Sequence, residues 1–277
     1  ELAFNEVYAE AQKTQPWKQW AEDGARQMVE SGTTAAADIV TDLDAAGALA
    51  SQGMHGIAYW EVMGWHNAEW MEKGRTELIR QLRRMNEEQL PNLGISPHAP
   101  YTLESEPFVD LPDIARQLNM RLHIHLAETP LEAGTYPPVL TTYSAADWSD
   151  HDWESYRQLK EVGKGASAIQ FVDQLGSLGP DVHIAHGVWA NGEDRRILRQ
   201  RGVGVALCPR SNRITNTGKD APVREYLEEG NLVSVGTDSL SSTPTLDLLD
   251  DVSMLYDLAR EQGYASDDLT HRLIRMM

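Results

Sequence analysis

Three short stretches of this chain carry reactive side chains: His125-Leu126-Ala127-Glu128, His186-Gly187 and Thr237-Asp238-Ser239. Imidazoles and carboxylates are the groups from which acid–base and metal chemistry is built. Each stretch closes a short apolar segment, and seven such segments follow one another along the chain. They are 34–40 (TAAADIV), 56–63 (GIAYWEVM), 93–97 (LGISP), 122–126 (LHIHL), 182–185 (VHIA), 203–208 (VGVALC) and 232–236 (LVSVG).

Something must hold these ends together. Between the apolar segments lie amphipathic stretches with helical spacing, the alternation expected of parallel α/β architecture. The spacing predicts helices over Trp20–Glu30, Thr76–Glu88, Pro107–Asn119 and Glu193–Arg201, the last stopped by Gly202. A further helix is expected from near Thr243-Pro244 to about Glu261, with Leu248, Val252, Leu255 and Ala259 on one face. Reactive residues at successive strand ends are what an α/β fold of the (β/α)8 TIM-barrel type needs, because its active site is assembled at the carboxyl ends of its strands. The expected organisation is one barrel domain over 1–277. A long excursion at about 130–165, carrying Trp148 and Trp153, is either an ordered lid over the barrel mouth or a subunit contact.

Composition narrows the class. With 277 residues, 41% of them apolar and 24% charged, the chain can bury a substantial core. No apolar run approaches the roughly 20 residues of a membrane span. A net charge of −18 disfavours nucleic acid and anionic membranes as partners, and leaves a small-molecule substrate as the expected one. The one cysteine, Cys208, excludes an internal disulfide framework and suits a reducing cytoplasm. A homodimer is the default for a symmetric oligomer.

Five motifs then occur in order: Pro97-His98-Ala99-Pro100-Tyr101-Thr102, His123-Ile124-His125-Leu126-Ala127-Glu128-Thr129, Ala185-His186-Gly187-Val188-Trp189, Cys208-Pro209-Arg210-Ser211-Asn212 and Gly236-Thr237-Asp238-Ser239. Together, from Thr33 to about Leu249, they resemble the amidohydrolase superfamily. The likeness is to the aminohydrolase branch, which holds methylthioadenosine/S-adenosylhomocysteine, aminodeoxyfutalosine and guanine deaminases and triazine chlorohydrolases. The resemblance implies a barrel with one divalent metal ion, zinc or iron, bound by a His-x-His pair on strand one, a His on strand five and an Asp on strand eight. Carried over, His125 and Asp238 are the metal ligands of strands five and eight. The seven segments are then strands two to eight. Strand one with its two histidines, and the small flanking β domain, are expected upstream of Glu1.

The resemblance also implies roles. Glu128 is the candidate proton donor to the substrate ring nitrogen, and His186 orients the water or stabilises the tetrahedral adduct. Asp238 holds the water's proton, and His98 hydrogen-bonds the substrate. Glu61 stands either where nucleoside deaminases place a ribose-binding Glu or as a solvated loop carboxylate. Arg210 either binds a substrate carboxylate, as in aminodeoxyfutalosine, or forms an ion pair within the chain. Trp60, Trp65 and His66 stack on a base or belong to the core. Ser239 either bonds to Asp238 or only shapes the turn, and His123, His183 and Cys208 are expected to be structural. The implied function is hydrolytic deamination of an adenine-type nucleoside. The alternatives are hydrolysis of a free base or of a triazine chloride or amine, and a catalytically silent binding barrel.

Overall fold

The computed structural model describes residues 16–87, 90, 92–134 and 165–277. The expected lid at about 130–165, with Trp148 and Trp153, lies outside the described residues except for 130–134 and 165. The described residues fall into two compact units, one up to Leu122 and one from His123 onward. Among them no helix is long and apolar enough to cross a membrane.

In the first unit, helix α1 (Trp17–Glu30) leads into β1 (Ala35–Val40), and α2 (Ala48–Ser51) into β2 (His55–Val62). Helix α3 (Asn67–Glu69) continues through a single π-turn, Trp70–Gly74, into α4 (Arg75–Glu87). Then come β3 (Leu93–Pro97) and α5 (Ser105–Gln117). β1, β2 and β3 pair in parallel in chain order, with Asp38 opposite Ala58 and Glu61 opposite Ser96. Leu78, Leu82 and Met85 bury one stripe of α4, at the spacing that predicted it. Helix α5 begins two residues before the expected Pro107, which thereby falls in the first turn, where its missing N–H costs no helical bond.

Strand β4 (Leu122–Leu126) opens with Leu122 paired to Ile95; from His123 it belongs to the second unit. There follow α6 (Ala168–Gln174), β5 (Val182–His186), α7 (Gly192–Arg201), β6 (Gly204–Leu207), α8 (Pro209–Ile214), α9 (Val223–Glu229), β7 (Leu232–Val235), α10 (Leu248–Glu261) and α11 (Leu269–Met276). β5, β6 and β7 are parallel, with Ala185 opposite Ala206 and Leu207 opposite Val235. The Asn191 side chain caps α7, and Gly202, at φ +70°, ends it as the sequence predicts.

One helix differs from expectation. α10 starts at Leu248, not at Thr243-Pro244, with the Asp247 carboxylate accepting the Leu249 N–H at 3.0 Å. The residues ahead of it are held elsewhere: the Arg210 guanidinium donates to the carbonyls of Thr245 and Asp247 at 2.9 and 3.0 Å. Those carbonyls bind a side chain, and the first helical turn forms after them.

Candidate active site

β4 is apolar on one face, with Leu122, Ile124 and Leu126 fully buried, and carries His123 and His125 on the other. His123 is buried, and burial pushes its pKa well below the usual histidine value, which suits a neutral interior group. His125 lies nearer the strand end and is half-buried. The chain then turns sharply, with Ala127 in the left-handed region at φ +54°. Glu132, fully buried in the 3-10 turn Pro130–Glu132, accepts the N–H groups of Ala127, Glu128 and Thr129 at 2.8, 2.8 and 2.9 Å. One buried carboxylate thus fixes the turn that carries Glu128.

The sequence reading passed over Glu132, although Thr129-x-x-Glu132 is a capping-box pattern that could have found it. Burial raises the Glu132 pKa to about 7, against the pull of its three N–H donors. A folded-state value above the unfolded one means that the stability from holding the group neutral is complete below about 4.5. It is lost as pH rises through about 7. Relative to Glu132→Gln, the wild type should therefore lose on the order of 3 kcal/mol between pH 5 and 8. Urea denaturation of both proteins across that range checks it; parallel pH profiles would refute it.

His186 ends β5 at φ +73° and Gly187 follows at φ +58°. A side chain at 187 would collide with the Tyr226 hydroxyl, and that hydroxyl donates to the Gly187 carbonyl at 2.8 Å. The buried His186 ring faces the Asn212 Oδ1 with its Nδ1 at 2.9 Å. Its Nε2 stands 3.8 Å from the Glu128 carboxylate. The His125 ring stacks on it, with centroids 5.5 Å apart. Burial opposes a charge on His186, but Glu128, Asp238 and the Asn212 amide outweigh it and raise the pKa above the usual value.

Asp238 follows β7 at φ +61°. Its Oδ2 accepts the Ser211 hydroxyl at 2.5 Å and its Oδ1 accepts the Ser239 N–H at 2.7 Å. Burial of the carboxylate favours the neutral form, yet His186, these two donors and His125 together hold it below the usual carboxylate range. Ser239 therefore holds Asp238 through its backbone, while its hydroxyl meets Ser241 at 2.5 Å. Cys208 is buried, and burial pushes its thiol well above the ordinary pKa, as a small interior apolar residue would have it.

Backbone strain marks the same place. Six described non-glycine residues have positive φ; three are asparagines, and the others are Ala127, His186 and Asp238. Such conformations cost about 1–3 kcal/mol each and persist where surrounding contacts impose them. Here all three close the β-strands that bring His125, Glu128, His186 and Asp238 together.

Arg210 is engaged by groups of its own unit. Arg210 donates to Asp251 at 2.8 and 3.0 Å, to Asp250 at 2.9 Å and to the Thr245 hydroxyl at 2.8 Å, besides the two carbonyls above. Every guanidinium N–H thus has a partner within the chain. Asp251 is fully buried and needs a counter-charge, which Arg210 supplies. In the first unit, Glu61 is near the end of β2 and burial raises its pKa to about 7. With Trp60, Trp65 and Arg80 it lines a pocket of about 310 Å³. His98 follows β3, its Nδ1 2.8 Å from the Thr102 hydroxyl, which itself donates to the Ala99 carbonyl. His66 is engaged by Glu104 at 3.0 Å and Trp65 packs edge-on against Trp70, so both have structural partners.

The amidohydrolase family model matches residues 12–135 and 141–277. The chain belongs to the amidohydrolase family. Among its curated relatives is the 5-methylthioadenosine/S-adenosylhomocysteine deaminase of Thermococcus kodakarensis, 30% identical over 235 residues, covering 83% of this chain and 49% of the relative. The 5'-deoxyadenosine deaminase of Methanosarcina mazei is 32% identical over 233 residues, covering 82% and 47%. The chain therefore spans about half the length of the curated relatives it matches. The zinc-bound structure of an adenosine deaminase from Xanthomonas campestris shares the fold, with a TM-score of 0.73 at 21% identity over 99% of this chain and 59% of that one. For an amidohydrolase the local donor set is apt: an imidazole from His125 and an ionised carboxylate from Asp238 are ligands that zinc or iron accepts.

Proposed function

We propose that the whole protein is a metal-dependent hydrolytic deaminase of an adenine-type nucleoside. The observation that carries the proposal is the grouping at the ends of β4, β5 and β7, where the His186 imidazole lies 3.8 Å from Glu128, stacks on His125 and shares its electrostatics with Asp238. The names of the curated relatives support a 5'-substituted adenosine as substrate. The engagement of Arg210 by Asp250 and Asp251 removes the specific argument for a benzoate-bearing nucleoside.

A divalent ion held by His125 and Asp238, zinc before iron, would supply a hydroxide nucleophile near neutral pH. The protein's own groups do the rest. Asp238, held ionised, accepts the proton of the attacking water. Glu128, fixed through its backbone by Glu132, is placed to protonate the ring nitrogen as the amino-bearing carbon becomes tetrahedral; it is then reloaded with the proton that Asp238 took from the water, passes it to the departing amine, and regains its own proton from the adduct's hydroxyl. His186, with Nδ1 turned to Asn212, directs Nε2 toward the reacting oxygen. Glu61 and His98 are proposed to hydrogen-bond the substrate, His98 as an acceptor through Nε2 and Glu61 through the sugar hydroxyls.

The test is ammonia release by the full-length, metal-loaded protein on methylthioadenosine, S-adenosylhomocysteine, 5'-deoxyadenosine, adenosine, guanine and cytosine. Turnover of one or more adenosines supports the reading. Turnover of free bases alone, or of none of the six, overturns it.

A further inference from the structure

Two of the strained residues are held by neighbours in sequence. Ser211 and Asn212 are consecutive residues of α8, the short helix that follows β6, and both are buried. Ser211 donates to Asp238 at the end of β7, while Asn212 accepts from His186 at the end of β5. Ser211 has Asp238 as its shorter partner at 2.5 Å; the Ser242 hydroxyl also lies 2.9 Å from it and itself donates to the Ser239 carbonyl at 3.3 Å. The helix is anchored from within: the Asn212 carbonyl accepts the Thr217 N–H at 3.0 Å and the Thr217 hydroxyl at 3.1 Å.

We propose that Ser211 and Asn212 are positioning residues that act as one clamp. They set the carboxylate rotamer of Asp238 and the Nδ1–H tautomer of His186 from a single rigid element. The two side chains point to different strand ends because adjacent helical residues lie about 100° apart, a divergence that one residue could not supply. The physical need is evident in the backbone. His186 and Asp238 both sit in left-handed conformations, where small shifts would swing either side chain away, and an external hydrogen bond to each side chain removes that freedom. An oxygen acceptor on Nδ1 also fixes a proton there and turns Nε2 toward Glu128, 3.8 Å away.

The inference rests on the deaminase reading for its catalytic consequence alone. Its primary readouts are independent of turnover. In the full-length protein, ¹⁵N-imidazole spectra, with His186 assigned by comparison with His186→Gln, should show the Nδ1–H tautomer in the wild type. An Nε2–H tautomer in the wild type overturns the proposal whether or not any variant folds. Asn212→Leu, which removes the acceptor, should yield a tautomer mixture, while Asn212→Asp should retain Nδ1–H. Ser211→Ala should weaken zinc binding, measured by chelator competition, 10–100-fold, and Ser211→Thr should recover most of it. In a protein that turns over, both disruptive variants should lower kcat 10–100-fold with KM changed less than threefold. An unshifted tautomer in Asn212→Leu, or zinc affinity within twofold of wild type in Ser211→Ala, refutes the clamp. If the wild type deaminates none of the nucleosides, the functional reading fails while the spectra and zinc titration still judge the clamp.

Discussion

Glu128→Gln in the full-length, metal-loaded protein is expected to lower kcat by about 10²–10⁴-fold with metal content unchanged. The amide keeps the shape of the carboxylate and can still donate to a ring nitrogen, but it cannot give up a proton and take one back. Deamination of an amidine needs both, first to the ring and then to the leaving amine. Glu132 holds residue 128 through its backbone N–H, so the substitution leaves the turn in place. KM should change little, since the lost interaction is one made as the proton moves. Near-wild-type turnover would remove Glu128 from the chemistry and, with it, the role proposed for the cluster. Metal analysis alongside the kinetics separates a chemical defect from a failure to bind the ion.

Arg210→Leu should destabilise the protein by about 3–5 kcal/mol, because it strands the fully buried Asp251 without its counter-charge. Two backbone carbonyls ahead of α10, at Thr245 and Asp247, lose their donor as well. The double variant Arg210→Leu/Asp251→Leu should recover most of the loss, since replacing a buried pair by apolar groups is often neutral. Urea denaturation of the three proteins measures this. A single-variant loss under about 1 kcal/mol, accompanied by a raised KM for an anionic nucleoside, would return Arg210 to substrate binding. Both outcomes are readable from one set of variants.

How much of this was visible beforehand differs by element. The seven strands and the helices α1, α4, α5 and α7 follow from apolar periodicity, because burial of one face selects residues at fixed spacing. α10 was misplaced at its start, since a proline ahead of a helical pattern looks like a first turn until Arg210 is seen holding the carbonyls beside it. His125, Glu128, His186 and Asp238 were legible because their residue types recur at strand ends. Glu132, Ser211 and Asn212 lacked assigned roles, since what they do depends on groups brought near by the fold.

Sequence alone determined the order of the strands, the chemical types at their ends and membership of the amidohydrolase family. These follow from local patterning and from motifs read one segment at a time. Only the tertiary structure decided which polar groups are spent on one another. Arg210 is taken up by Asp251 and Asp250, Ser211 by Asp238, and Asn212 by His186, pairs between 26 and 41 residues apart. A hydrogen bond or ion pair forms over about 3 Å and is indifferent to separation along the chain, so local pattern carries no record of it. The left-handed backbone at Ala127, His186 and Asp238 belongs to the same class, because few non-glycine residues adopt that conformation and local pattern does not say which of them will.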